Sequence, residues 1–499
     1  MRADLLAFTL AAALAAGVAA RAEPPHAHTD SGEATGALEG DVAVFRGLPY
    51  AAPPEGALRW APPQRAPAWT GVRDATAFGP ICPQPAGARR LTAAKQSEDC
   101  LTLNVWAPAV RPAKPAPVMV WIHGGGYETG SGSDPLYDGK AFARDGVVLV
   151  TINYRLGVLG FFAHPALTKA AGPQAPLANY GLMDQVAALQ WVRRNIAAFG
   201  GDPGNVTVFG ESAGGAAVIN LLTAPSAKGL FQKAIAESSG FWFGASGLKA
   251  AEAKGVKIAA DSGAADGSLA ALRAIPVAKL VGLHPDDAMT VVDGRFLPVA
   301  PQDALRAGRA ADVPLIIGTN SGEGSLLGDS DPKETLKDVP AAKLAALYGD
   351  AGDEAAKARA VFNDWGFAAP SRWVAAKEAR GAPAWLYRFS YVSSLRGDPK
   401  KGATHGSELI YVFQSGAMGA AVARYPDMPD IKVTRTMHAC WIAFAKTGSP
   451  ESCVAGGWKP YDPSADDLME FAAEPAMRTG YRKAQWDYQI GRLGLDAAP

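Results

Sequence analysis

The stretch from Asn205 to Gly215, NVTVFGESAGG, constrains this chain more than any other. Val206, Val208 and Phe209 make a short apolar strand. Ala213 to Ile219 are small or apolar, as a helix packed on a sheet requires. Ser212 sits between them inside G-x-S-x-G, where Gly210 and Gly214 let strand and helix approach closely. The pentapeptide alone means little in a chain with 55 glycines. The strand before it and the helix after it make it specific. A strand–serine–helix turn of this kind is a nucleophile elbow, which holds the hydroxyl above the C-terminal edge of a parallel sheet.

The surrounding pattern agrees. Pro117–Ile122 and Val147–Ile152 are continuous apolar runs and read as strands buried on both faces. Cys100–Trp106 alternates apolar and polar residues and reads as a half-exposed edge strand, and residues 41–47 are also β-like. Leu182, Val186, Leu189, Val192, Ile196 and Phe199 recur at helical spacing before Gly200-Gly201. Residues 234–236, 313–317 and 384–387 are later strand candidates. Strands alternating with helices give an α/β chain with a mostly parallel, doubly wound central sheet in one domain over residues 38–499. Residues 245–310 and 325–380 have helical periodicity and read as excursions forming the walls and rim of a site.

Lys+Arg and Asp+Glu are both 48. That balance gives no basic surface for a nucleic acid. The N-terminus reads as a secretory signal peptide over residues 1–22: Met1-Arg2, an apolar run from Leu5 to Ala20, and a cleavage site at Ala20-Arg21-Ala22. Export to the periplasm or beyond follows, with no stable membrane association after cleavage. Residues 23–37 read as a mobile leader, in which His26 and His28 are solvated rather than metal-bound. An oxidising compartment favours short-range pairing of Cys82 with Cys100 and of Cys440 with Cys453, among three possible connectivities. No spacing resembles a metal site.

A serine hydroxyl needs a base to take its proton and a group to orient that base. On an elbow of this type the acid and then the histidine follow the serine in sequence. Glu323 follows the 315–318 strand in GTNSGEG, and a carboxylate just past a strand end suits the acid. His405, in the loop THGSE, suits the base better than His438, which lies within a helical pattern, or His164 and His284, which precede prolines. His123-Gly124-Gly125-Gly126 follows a buried strand. Its glycines allow backbone N–H groups to face an oxyanion, so the donors are Gly125, Gly126 and Ala213.

Taken together, the motifs resemble the type-B carboxylesterase family, which includes the cholinesterases and has the α/β-hydrolase fold. They are FRGLPYAAPP (45–54), SEDCLTLNVWAP (97–108), VMVWIHGGGYETGS (118–131), NYRLGVLGFF (153–162), residues 181–215, GTNSGEG (318–324), THGSE (404–408) and FAKTGSP (444–450). The resemblance implies a cofactor-free serine esterase acting on a small-molecule ester through an acyl-enzyme on Ser212, with Glu323 and His405. It also implies support from Glu211, Ser238 and Glu408, an Arg59–Glu98 ion pair, and closure of a loop by Cys82 and Cys100. A lipase or an amidase would use the same residues. A non-catalytic binding protein of this fold would lack them.

Three departures stand out. Residues 83–99 carry no aromatic for a quaternary ammonium, but have Arg89, Arg90 and Lys95, which read as solvated rim charges. Gly322 stands where the family often has an acidic residue. Phe241-Trp242-Phe243 matches the stretch that shapes an acyl pocket, though such rings also suit a core. Activity is expected to fall as His405 protonates, around the ordinary histidine value of about 6.5.

Overall fold

A computed structural model describes residues 23–86, 94–240, 242, 245–283, 290–393, 398–416 and 428–496. The proposed signal peptide, Arg89, Arg90, Phe241, Phe243 and His284 lie outside the described residues. Among the described residues, one sheet of eleven strands organises the chain. In chain order they are β1 (Ala37–Glu39), β2 (Val42–Pro49), β3 (Thr102–Pro108), β4 (Ala116–Ile122), β5 (Val148–Ile152) and β6 (Gly201–Glu211). Then come β7 (Lys233–Glu237), β8 (Leu315–Asn320), β9 (Ala384–Phe389), β10 (Asp467–Phe471) and β11 (Ala476–Thr479). Their spatial order is β11-β10-β9-β8-β7-β6-β4-β5-β3-β2-β1.

The strands from β5 through β10 pair in parallel, and antiparallel strands flank them on both sides. After β4 the chain moves out to β5 and returns to β6 on the other side of β4. Parallel sheets bind ligands at the carboxyl ends of strands where the order reverses in this way. The glycine loop follows β4 and Ser212 follows β6, so both stand at that reversal.

Successive side chains of a strand face opposite sides, and the sheet accordingly has two cores. Val118, Val120, Val206, Val208 and Ala234 face one. Met119, Trp121, Phe209, Ile235 and Ile316 face the other. The helix Ala213–Thr223 is buried along its whole length on the first side, and Pro429–Thr447 packs on the second. No helix among the described residues is long and apolar enough to cross a membrane.

Two expectations change. β3 is not an edge strand: it lies between β2 and β5 and its interior is buried. Its polar positions are satisfied internally, Asn104 accepting from Gly47 N–H at 3.0 Å and donating to Thr151 at 3.0 Å. Residues 23–37 are not a loose leader. His26–Thr29 and Gly32–Thr35 pair as a hairpin, Ala27 and Ala34 are buried, and Asp30 bonds Arg194 and Asn195. Polar composition concealed a strand pair whose buried apolar side chains are only two alanines, beside the buried Thr29.

Both disulfides pair the nearer cysteines: Cys82 with Cys100 and Cys440 with Cys453, with Cα separations of 5.0 and 4.9 Å. Arg59 and Glu98 form a two-point pair at 2.7 and 2.5 Å. A deeper pair joins Arg155 to Asp184, whose carboxylate accepts from the arginine N–H, Nε and Nη2 at 3.0, 2.8 and 2.7 Å. Asp184 is fully buried. Asp184→Asn leaves that arginine without its counter-charge and is expected to cost about 3–5 kcal/mol, read as a lower urea midpoint. An unchanged midpoint would mean that Ala61 O, its other acceptor, is sufficient.

Candidate active site

Ser212 has φ 58° and ψ −124°. A residue with a Cβ takes such a backbone only where its surroundings enforce it. Here the surroundings are close. A Cβ on Gly214 would come 2.0 Å from Ile122 O, and one on Gly210 would come 2.6 Å from the Gly214 carbonyl. The helix therefore lies directly over the ends of β4 and β6, and the turn cannot relax. Ser212 N–H donates to Glu237 O at 2.9 Å, tying the turn to β7. Ala213 N–H, at the first helical position, has no acceptor within the helix and lies at the positive end of the helix dipole.

The loop after β4 faces this turn. Gly125 and Gly126 have φ of 109° and 65°. Glu128 and Thr129 N–H both return to Gly125 O, at 3.1 and 3.0 Å. His123 is fixed below by ring stacking on Tyr154 at 4.4 Å, whose hydroxyl donates to His123 O at 2.8 Å. A Cβ on Gly124 would meet Glu211 O at 2.6 Å and Ser212 Cβ at 3.0 Å, so the loop backbone lies against the serine. Gly124→Ala is expected to push the loop away and lower kcat by about 10²–10³-fold, as loss of an oxyanion donor does. An unchanged kcat on a p-nitrophenyl ester would place the donors elsewhere.

Glu323 follows β8 and is fully buried. Its Oε1 accepts from Ser238 Oγ at 2.6 Å and Asn320 N–H at 2.7 Å. Its Oε2 lies 2.5 Å from His405 Nδ1. The loops carrying the two residues are joined directly: Gly322 N–H donates to Ala403 O at 2.8 Å, and the Asn320 side-chain Nδ2 to Thr404 O at 2.9 Å. This accounts for Gly322. A Cβ there would come 2.4 Å from Lys401 O, so an acidic side chain has no place in this pairing.

The other edge of the imidazole meets a second carboxylate, with His405 Nε2 3.2 Å from Glu211 Oε1. Glu408, also buried, accepts from Asn320 Nδ2, and Glu237 accepts from Trp441 Nε1 at 2.9 Å. Burial disfavours charge on His405, but Glu211, Glu323 and Glu408 outweigh it and push its pKa up to about 9. The ordinary histidine value expected from sequence is therefore too low. Burial, with the like charges of Glu211 and Glu323, raises Glu408 to about 8. Burial and Glu408 push Glu237 well above the carboxylate range.

Of the sequence-derived residues, Glu211, Ser238, Glu323, His405 and Glu408 meet here, and the glycine loop at Gly124 lies against Glu211 and Ser212, next in sequence to Gly125, Gly126 and Ala213. His405 Nε2 faces Glu211 and makes no hydrogen bond to Ser212. Trp242 is buried in the core and stacks with Trp373 at 6.1 Å. Lys95 is exposed. Sequence reasoning missed Glu237, Asn320 and Asn363. Asn320 stands in the GTNSGEG motif and could have been found there. Asn363, which accepts the Glu323 N–H at 3.1 Å, carries no local signal.

The family model described as "Carboxylesterase family" matches residues 23–348 and 342–489. The chain is 39% identical over 489 residues to a fumonisin B1 esterase of Sphingopyxis macrogoltabida, covering 92% of this chain and 88% of that one. It is 40% identical over 482 residues to a para-nitrobenzyl esterase of Bacillus subtilis, covering 89% and 94%. Among solved structures, a thermophilic PNB esterase superposes with a TM-score of 0.81 at 34% identity, covering 94% of this chain and all of that one.

Proposed function

The chain belongs to the carboxylesterase family, and from that membership we propose the role of each residue at the site. The protein is a carboxylic ester hydrolase. Ser212 is its nucleophile, His405 its general base and acid, and Glu323 the group that orients the imidazole. Ser212 Oγ attacks the ester carbonyl carbon while its proton passes to His405 Nε2. The N–H groups of Gly125, Gly126 and Ala213 receive the oxyanion. Collapse expels the alcohol, which takes the proton from His405. Water then adds to the acyl-serine by the same route and releases the acid.

The observation that carries this reading is the strained Ser212 at the strand–helix turn, beside a Glu323–His405 contact of 2.5 Å. Glu211 adds a counter-charge to the imidazolium formed in the first step. The two disulfides suit an oxidising compartment, and we place the enzyme outside the cytoplasm after removal of residues 1–22. The test is turnover of a short-chain p-nitrophenyl ester by the purified protein, with fluorophosphonate labelling mapped to Ser212. A folded protein that neither turns over the ester nor takes the label is not a serine esterase.

A further inference from the structure

The segment 363–367 touches the acid and the base separately. Asn363 ends the helix Glu354–Asn363, and its Oδ1 accepts the Glu323 N–H at 3.1 Å. Four residues on, the Phe367 ring lies 5.4 Å from the His405 ring, tilted by 60°. Between them Asp364–Ala368 forms a π turn, closed by Ala369 N–H to Asp364 O five residues back. Such turns interrupt helices frequently at functional sites. Pro370 gives the local cause: without an N–H it cannot bond the Gly366 carbonyl four residues earlier.

Phe367 has little freedom to move. It is 2% exposed, and a Cβ on Gly240 would come 2.4 Å from its ring. Phe362 packs on it with ring centroids 5.9 Å apart. The π turn itself is anchored from the far end of the chain. Asp364 accepts from Arg482 Nη2 at 2.7 Å and from Trp486 Nε1 at 2.9 Å. Arg482 caps, and Trp486 belongs to, the C-terminal helix Lys483–Arg492.

We infer that Phe367 is a positioning residue: packed on the His405 ring by the π turn and its Asp364 clamp, it keeps the imidazole from turning about its contacts with Glu323 and Glu211. Those two contacts hold the ring nitrogens but leave the ring free to rotate about the line that joins them. A flat side chain against the ring removes that rotation. The C-terminal helix thereby reaches the catalytic base through two buried side chains. The inference rests on the assignment of Ser212, Glu323 and His405 as the triad.

The test uses Phe367→Leu and Asp364→Asn in the full-length protein, with kcat and KM measured separately on a short-chain p-nitrophenyl ester. Both variants are expected to lose kcat, Phe367→Leu by about 10–100-fold, the scale of a slightly misplaced catalytic group. KM should stay within about twofold, since no substrate contact is removed. A changed KM or acyl-length preference at wild-type kcat would make Phe367 a pocket wall and overturn the inference, as would wild-type values for both constants. Should Phe367→Leu fail to fold, the near-isosteric Asp364→Asn decides alone. Ser212→Ala in parallel separates the two claims: an active Ser212→Ala removes the triad itself, whereas an inert one beside a fully active Phe367→Leu removes only the role of Phe367.

Discussion

Ser212→Ala is expected to lower kcat on simple esters by about 10⁴–10⁶-fold, the range seen when a triad serine is removed. The substitution deletes one oxygen and leaves the Cβ in place. The bond that ties the turn to β7 comes from the Ser212 backbone N–H, so it survives. The glycine loop also survives, because the Ser212 Cβ it lies against is kept. The variant should therefore fold and bind ester normally, retaining only the small acceleration that oxyanion donors give to direct attack by water. Fluorophosphonate should leave it unlabelled. A variant that keeps more than about a tenth of wild-type kcat would place the nucleophile elsewhere.

The second large effect is in the pH profile. General-base catalysis needs the neutral imidazole, and the carboxylates around His405 hold its pKa up to about 9. Only about one enzyme in a hundred then carries the free base at pH 7. The value of kcat/KM is expected to climb about tenfold per unit from pH 6 and to level off only near pH 9. Glu211→Gln removes the largest of the raising charges and should move the midpoint down toward the ordinary value. A wild-type profile already flat above pH 7, or an unmoved midpoint in Glu211→Gln, would show that this charge does not act on the base.

The same groups set stability against pH. Between the unfolded and folded pKa values of His405 and Glu408, the folded state binds more protons, so stability falls as pH rises. The contribution of His405 is complete below about 6.5 and lost through about 9. That of Glu408 is complete below the ordinary glutamate value and lost through about 8. The pH of fastest turnover is thus one at which the fold has already given up part of its stability.

Most of the proposed catalytic constellation was legible because its members sit at strand ends, where periodicity stops and turn chemistry begins. Ser212, Glu323 and the glycine loop each follow an apolar run that can only be a buried strand. His405 was found by order and by elimination. What escaped was set by contacts distant in sequence. β3 alternates like an edge strand, yet its polar positions bond inward to Gly47 and Thr151. The 26–35 hairpin buries too little to leave a hydrophobic trace. Glu237 looks like the end of an ordinary strand, and only the fold brings it beside Glu408 and Trp441. Asn363 and Phe367 lie in a helical stretch whose pattern hides a π turn.

The pairing of the Glu323 and His405 loops bears on when this chain becomes active during its synthesis. The nucleophile and the glycine loop are complete by residue 215, but Gly322 has no partner until Ala403 and Thr404 exist. A nascent or truncated chain ending before that point holds a serine on a strand and nothing to ionise it. Unfolded chains are equally inert, since the proposed acid and base meet only when loops some eighty residues apart are zipped together. Hydrolytic power is in this sense a property of the finished molecule, and no partial product carries it.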